Sequence, residues 1–259
     1  MARVARVKSR SGIYHVMLRG ANQQEIFHDE EDCLTFLRIL ETYKIKSELN
    51  IFAWCLMGNH THLLVKEGNE PLSTTMKRIG VSFVSYYNWK YQTNGHLFQD
   101  RFRSENVEDV RYLLTVVSYI HQNPVKAGMV SRVDEWRWSS CPGYYGENQF
   151  AKKLVDYHYI LKFFSEDLAI AKAQFIDFNE RYLNVQCLDE PENYKRRLSD
   201  EEARLMIMDV LGGIEIAQVK SLPKLQRNEV FQEVKKIKGL SKRQAARILG
   251  VSASLIFKV

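Results

Sequence analysis

Apolar and polar residues alternate along "GIYHVMLRG" (12–20), with Tyr14, Val16 and Leu18 on one face of a predicted strand and His15, Met17 and Arg19 on the other. The period then lengthens. In "DEEDCLTFLRILETYKIKSEL" (29–49) acids fill the first turn, and Leu34, Leu37, Ile45 and Leu49 recur near helical spacing. "NIFAWCLM" (50–57) and "HTHLLVKE" (60–67) read as two strands joined by the tight pair Gly58–Asn59, a hairpin signal. "PLSTTMKRIGVSFVSYYNWKYQ" (71–92) predicts a second helix with proline in its first turn. "GHLFQDRFRSENV" (95–107) reads as a loop running into a short strand, and "VEDVRYLLTVVSYIHQNP" (107–124) as a third helix that stops at Pro124. The first six of these elements, β-α-β-β-α-β, have the pattern of a ferredoxin-like split unit. The expected class is therefore α+β, an antiparallel sheet with helices packed on one face.

The periodicity divides the rest of the 259-residue chain. Residues 1–145 read as one domain and 146–200 as a helical connector, aromatic at first and polar at its end, to which we assign no function. Residues 201–259 read as an all-α unit. Within it, "GLSKRQAARILGVSASLIFKV" (239–259) fits a helix-turn-helix: Ala246 where two helices approach, Gly250 at the turn, Ser252 as a cap and Ile256 returning to the core.

Charge changes the picture. Residues 219–259 hold ten Lys/Arg against two acids, and residues 1–28 hold five against one, although the whole chain is only +6. Basic ends around an acidic middle point to a polyanionic partner, nucleic acid first. No apolar run approaches the roughly 18 residues that cross a bilayer, and "MARVARVKSRSG" lacks the apolar core of a signal peptide. Four scattered cysteines show no CxxC spacing. The expectation is a cytoplasmic protein with no membrane partner.

Two histidines separated by one residue, His60 and His62, share a face of the second hairpin strand. The pair admits two readings: half-buried strand-edge histidines, or two imidazole ligands for a divalent metal. A third ligand would have to come from elsewhere. In "SYIHQNP" Tyr119 and Asn123 lie four residues apart on one helical face; alone they would be a core-edge tyrosine and a helix-end asparagine. Together, facing two histidines, they would put a phenol beside a metal-bound phosphate. Gln122 is an alternative ligand, about 100° around the helix.

The stretches "YHVMLRGANQQEIF", "WCLMGNHTHLLV", "GHLFQDRFRS", "YIHQNPVKAGMV" and "WRWSS", in that order over roughly residues 10–145, resemble the HUH single-strand transposases with one catalytic tyrosine. They are most similar to the REP-associated tyrosine transposases, relatives of the IS200 transposases. The resemblance implies that His60, His62 and Asn123 hold a divalent cation, Mg²⁺ or Mn²⁺, and that Tyr119 is the nucleophile. Thr61 stands where the motif has a bulky apolar residue, and its methyl can still pack on the reverse face.

A phenol is a poor nucleophile near its free pKa of about 10, and a cation beside the scissile phosphate lowers that barrier. Attack would yield a phosphotyrosine and a 3′-hydroxyl, with the 5′-phosphate retained on the tyrosine as the resemblance implies. Tyr86, Tyr87 and Tyr91 cluster on the second helix as core or as base-stacking platforms. Arg19, Asn22, Gln99, Arg101 and Arg103 in the matched blocks, with Lys242, Arg243 and Arg247 in the C-terminal unit, are the candidate DNA-binding residues. The expected protein is a metal-dependent endonuclease and strand-transferase acting on single-stranded or hairpin DNA, as a monomer or homodimer. The alternatives are a non-catalytic DNA-binding regulatory or structural protein that keeps the fold, and a nuclease using water.

Overall fold

The computed structural model describes residues 7–146, 153–181, 187, 198–237 and 239–258. Strands β1 (Ile13–Arg19), β2 (Asn50–Met57), β3 (His60–Lys66) and β4 (Arg103–Asn106) form one sheet in the order β2-β3-β1-β4, and every neighbouring pair is antiparallel. Helix α1 (Glu30–Lys46) links β1 to β2, α2 (Leu72–Lys90) links β3 to β4, and α3 (Val110–Lys126) follows β4. The α+β, ferredoxin-like order expected from the sequence is what the chain adopts.

Helix α1 starts at a reciprocal cap, in which the Asp29 carboxylate accepts from Asp32 N and the Asp32 carboxylate from Asp29 N. Asp32 is fully buried and is held by α2: Lys90 Nζ lies 2.9 Å and Tyr86 Oη 3.0 Å from Oδ1, with Tyr91 Oη 2.7 Å from Oδ2. This neutralised carboxylate fixes α1 against α2. Beside it the rings of Phe27, Phe36 and Phe83 pack with centroids 5.2–5.5 Å apart.

Helices do not confine themselves to one face of the sheet, as the sequence pattern suggested. All of β1 is buried, as are all but the first residue of β2 and the last of β3, so both faces are covered. Helix α3 lies over the histidine face, with Tyr119 edge-on to His15 and His62. The opposite face, with Val16, Leu63 and Val65, is left to α1 and α2, which pack on each other. Under α3, polar His15 and Arg19 of the first face are buried.

Helix α3 also runs through Pro124 to Lys126 instead of stopping there. A proline in the last turn forfeits one helical hydrogen bond, and the chain turns off only at Gly128, in the left-handed region at φ +69°. Beyond it, residues 138–140 run alongside β2: Leu56 N donates to Trp138 O at 2.8 Å and Ser140 N to Trp54 O at 2.9 Å.

The described part of 146–200 packs into the N-terminal core. After α4 (Cys141–Tyr145), helices α5 (Tyr157–Leu161) and α6 (Leu168–Glu180) contribute Ile160, Leu161, Ala171 and Phe175 to it. The polar run 184–197 lies outside the described residues except for buried Cys187. A second core joins α7 (Asp200–Leu211), α8 (Lys224–Lys235), α9 (Lys242–Ile248) and α10 (Ala253–Lys258) through Ile207, Phe231, Val234, Ile248 and Ile256. The turn between α9 and α10 carries Gly250 at φ +65°. Arg204 of α7 ties this unit to the first by an ion pair with Glu25 and a 2.9 Å hydrogen bond to His28 Nδ1. Among the described residues no helix is long and apolar enough to cross a membrane.

Truncating the centre of the aromatic cluster should be costly. Phe83 has no exposed surface, so Phe83→Ala should lower unfolding stability by about 3–5 kcal/mol, read from denaturant midpoints. A loss below about 1 kcal/mol would mean that the cluster does not hold α1 and α2 together.

Candidate active site

The antiparallel register decides which side chains meet. Met17 pairs with His62 and Arg19 with His60, so His15, His60 and His62 all project from one face. His15 Nε2 lies 3.0 Å from His62 Nδ1. The His60 and His62 rings are 5.0 Å apart at their centroids. Residue Asn59, in the hairpin turn, accepts from His60 Nδ1 through Oδ1 at 2.6 Å.

Tyr119 is 1% exposed, with its ring centroid 5.8 Å from His15 and 5.9 Å from His62. Its hydroxyl is buried without a hydrogen-bond partner. The other tyrosines that the sequence singled out are occupied: Tyr87 Oη bonds His28 Nε2 at 2.8 Å, while Tyr86 and Tyr91 bond Asp32. Lys126, two turns further along α3, sets its ammonium 4.6 Å from the Tyr119 ring centroid. Burial lowers the Lys126 pKa.

Asn123 follows Tyr119 by one turn and is buried, and its Nδ2 has no hydrogen-bond partner. Gln122 is committed elsewhere: its Nε2 donates to Asn179 O at 3.1 Å and to Ser118 Oγ at 3.2 Å. That leaves Asn123, not Gln122, as the polar side chain on the face of Tyr119. Neighbouring His121 is structural too, bridging Ser140 Oγ at 2.8 Å and Asn179 Oδ1 at 3.0 Å.

Burial makes the histidines neutral. Desolvation pushes His15 down to about 3, and desolvation with the nearby Arg19 charge pushes His60 down to about 3. His62 lies well below its ordinary value for the same reasons, with His60 and His15 adding to them, and burial takes His121 down to about 4. Among the described residues no group of three or more His, Cys, Asp or Glu is placed to hold a metal. A cation here would have to rely on two neutral imidazoles and the Asn123 amide, a donor set that suits a divalent ion and leaves coordination positions open.

The candidate DNA-binding residues fall into two groups. Arg19, at the end of β1, is buried beside His60, while Asn22 sits exposed in the next turn at φ +55°. Exposed Gln99, Arg101 and Arg103 lead into β4; Gln99 N donates to Arg19 O at 2.9 Å, bringing that loop to the same end of the sheet. In the C-terminal unit Lys242 and Arg243 are exposed, but Arg247 makes a two-pronged ion pair with Asp200 and serves packing.

His15 escaped the sequence reading. The signal was present, a lone polar residue on the same face of β1 as Arg19, but only the β1–β3 register shows that it reaches His62. Lys126, within the "NPVKAG" block, was likewise passed over.

Residues 8–123 match the family model described as IS200-like transposase. A stretch of 101 residues, 38% of the chain, is 28% identical to the REP-associated tyrosine transposase of Escherichia coli (strain K12), and the match spans 58% of that relative's length. The solved structure of a REP-associated tyrosine transposase bound to a REP hairpin is 20% identical with a TM-score of 0.46, covering 58% of this chain and 90% of that one.

The neutral histidines make stability depend on pH. Each binds its proton in the unfolded chain near 6.5 but in the folded chain only near 3 or 4, so its contribution is complete above pH 6.5 and is lost as pH falls below it. Between pH 6 and 4.5 the metal-free protein should lose up to about 1.4 kcal/mol per pH unit for each such histidine. Urea midpoints that stay constant over that range would contradict neutral, buried imidazoles.

Proposed function

Because residues 8–123 match the IS200-like transposase model, we propose that the protein cuts and rejoins single-stranded DNA at or beside hairpins through a phosphotyrosine on Tyr119. The observation that carries this reading is the Tyr119 hydroxyl, buried without a partner on a ring that stands edge-on to two neutral imidazoles. A tyrosine kept for packing would normally satisfy its hydroxyl, as Tyr86, Tyr87 and Tyr91 do here.

In the proposed step Tyr119 Oη attacks phosphorus, the P–O3′ bond breaks, and the proton that the phenol gives up is balanced by the one that the leaving O3′ takes to become a 3′-hydroxyl. The 5′-phosphate stays on the tyrosine. His60, His62 and Asn123 would hold a divalent cation, Mg²⁺ or Mn²⁺, which when bound supplies Lewis-acid polarisation of the phosphate. Lys126, with its ammonium 4.6 Å from the ring centroid, places a positive charge beside the phenol.

Exposed Asn22, Gln99, Arg101 and Arg103 suit unpaired bases and phosphates at the same end of the sheet, with Arg19 behind them. The C-terminal unit adds backbone anchoring through Lys242 and Arg243 at the start of α9, in the manner of a helix-turn-helix. One observation favours a non-catalytic DNA-binding protein instead: at 1% exposure Tyr119 is closed to a strand unless the site opens.

Incubation with single-stranded hairpin DNA and Mn²⁺ separates the readings. The wild type should form a denaturation-resistant adduct, and Tyr119→Phe should form none while binding DNA equally well. Tyr112→Phe, two turns earlier on α3, should keep the adduct. Cleavage without any adduct would indicate water as the nucleophile, and an inert wild type would indicate a binding protein.

The salt dependence of affinity tests the role of the C-terminal unit. Lys242→Ala with Arg243→Ala should reduce the slope of log K against log salt by roughly 0.7–0.9 for each phosphate that the variant no longer neutralises. An unchanged slope would remove α9 from the interface.

A further inference from the structure

Strand β1 places an imidazole where an apolar side chain would pack as well. His15 is fully buried on the face covered by α3, and its Nδ1 has no hydrogen-bond partner. Burying an imidazole there costs desolvation that a leucine or phenylalanine would not. What the imidazole gains is a 3.0 Å hydrogen bond between its Nε2 and His62 Nδ1.

The neighbouring histidine shows the same arrangement by different means. His60 Nδ1 lies 2.6 Å from Asn59 Oδ1, and a carbonyl oxygen only accepts, so the His60 proton sits on Nδ1. The Asn59 amide is oriented by its own Nδ2, which donates to Gln23 O at 3.3 Å. In both rings, then, Nδ1 is engaged from behind, by a turn amide for His60 and by an imidazole for His62.

We propose that His15 is a positioning residue: it accepts the Nδ1–H of His62, fixes that ring and keeps the proton off Nε2, the nitrogen that a divalent cation would take. The inference rests on the reading of His62 as a metal ligand. It extends it by naming the residue that prepares the ligand, since a histidine protonated on Nε2 cannot coordinate through it. The opposite hydrogen bond, with His15 as donor, would put the His62 proton on Nε2 and close the site to metal.

The test begins with the full-length, metal-free protein labelled with ¹⁵N-histidine, the His62 resonances being identified by their loss in His62→Gln. In the wild type His62 should carry its proton on Nδ1. In His15→Phe, which keeps a ring of similar size, the Nδ1–H form should cease to dominate; in His15→Gln, whose amide oxygen can accept, it should persist. Mn²⁺ titrated into the same samples should bind His15→Phe about 10- to 100-fold more weakly than the wild type, with His15→Gln recovering most of the loss. A wild-type His62 protonated on Nε2 overturns the proposal, as does an unchanged tautomer in His15→Phe. If that variant does not fold, the wild-type tautomer and the His15→Gln spectrum decide. A wild type with the expected tautomer but no Mn²⁺ binding would sink the metal-ligand reading and leave the control of His62 by His15 standing.

Discussion

The antiparallel register between β1 and β3 is the constraint on which the site depends. With Met17 opposite His62, His15, Met17 and Arg19 share the inner face with His60 and His62; a slip of β1 by one position would put Tyr14, Val16 and Leu18 in place of its three residues. The end of the pairing is clamped. Gly20 N donates to Asn59 O at 2.9 Å, and Ile26 N donates to Gly58 O at 2.8 Å, so the turn after β1 grips the hairpin turn. This close approach requires the absence of a side chain at Gly20, where a Cβ would stand 2.2 Å from Gln24 O. The register, the tight turn and the histidine triad are therefore one structural decision.

A second set of bonds fixes the rotation of α3. Its Tyr119–Asn123 face can meet the histidines only if the adjacent face is anchored, and Ser118, His121 and Gln122 form that anchor. They bond Ser140, from the strand-like segment beside β2, and Asn179, from the end of α6. Neither partner touches the site. Both act on it by holding the helix at one azimuth, which explains why the "WRWSS" stretch and α6 belong to the same core as the sheet. Buried polar networks of this kind specify one arrangement because every alternative leaves a dry donor or acceptor unpaired.

What was legible in the sequence was local. The hairpin, the helix starts and the pairing of Tyr119 with Asn123 follow from spacing, and spacing along one chain segment is visible without a fold. What escaped was tertiary. His15 gains its partner from 47 residues away, and its place on the Arg19 face of β1 does not say which residue it meets. The covering of both sheet faces was hidden because β1 carries buried imidazole and guanidinium groups where a wet face would carry solvated ones. The passage of α3 through Pro124 was hidden because a proline in a last turn costs little. Arg247 looked like a phosphate ligand because its carboxylate partner, Asp200, lies 47 residues earlier.

The closed state of the site has an energetic consequence. An unpaired buried hydroxyl costs about 1–3 kcal/mol, and Tyr119 bears that cost in the DNA-free chain together with the unmatched Asn123 Nδ2. The surrounding network tolerates it, since the histidine register and the α3 anchor are set by groups other than the phenol. A phosphodiester entering between α3 and the sheet would give the hydroxyl a polar neighbour and remove the penalty. The same burial that keeps Tyr119 from solvent holds its ring edge-on to the imidazoles, so the proposed nucleophile would need to be uncovered without being repositioned.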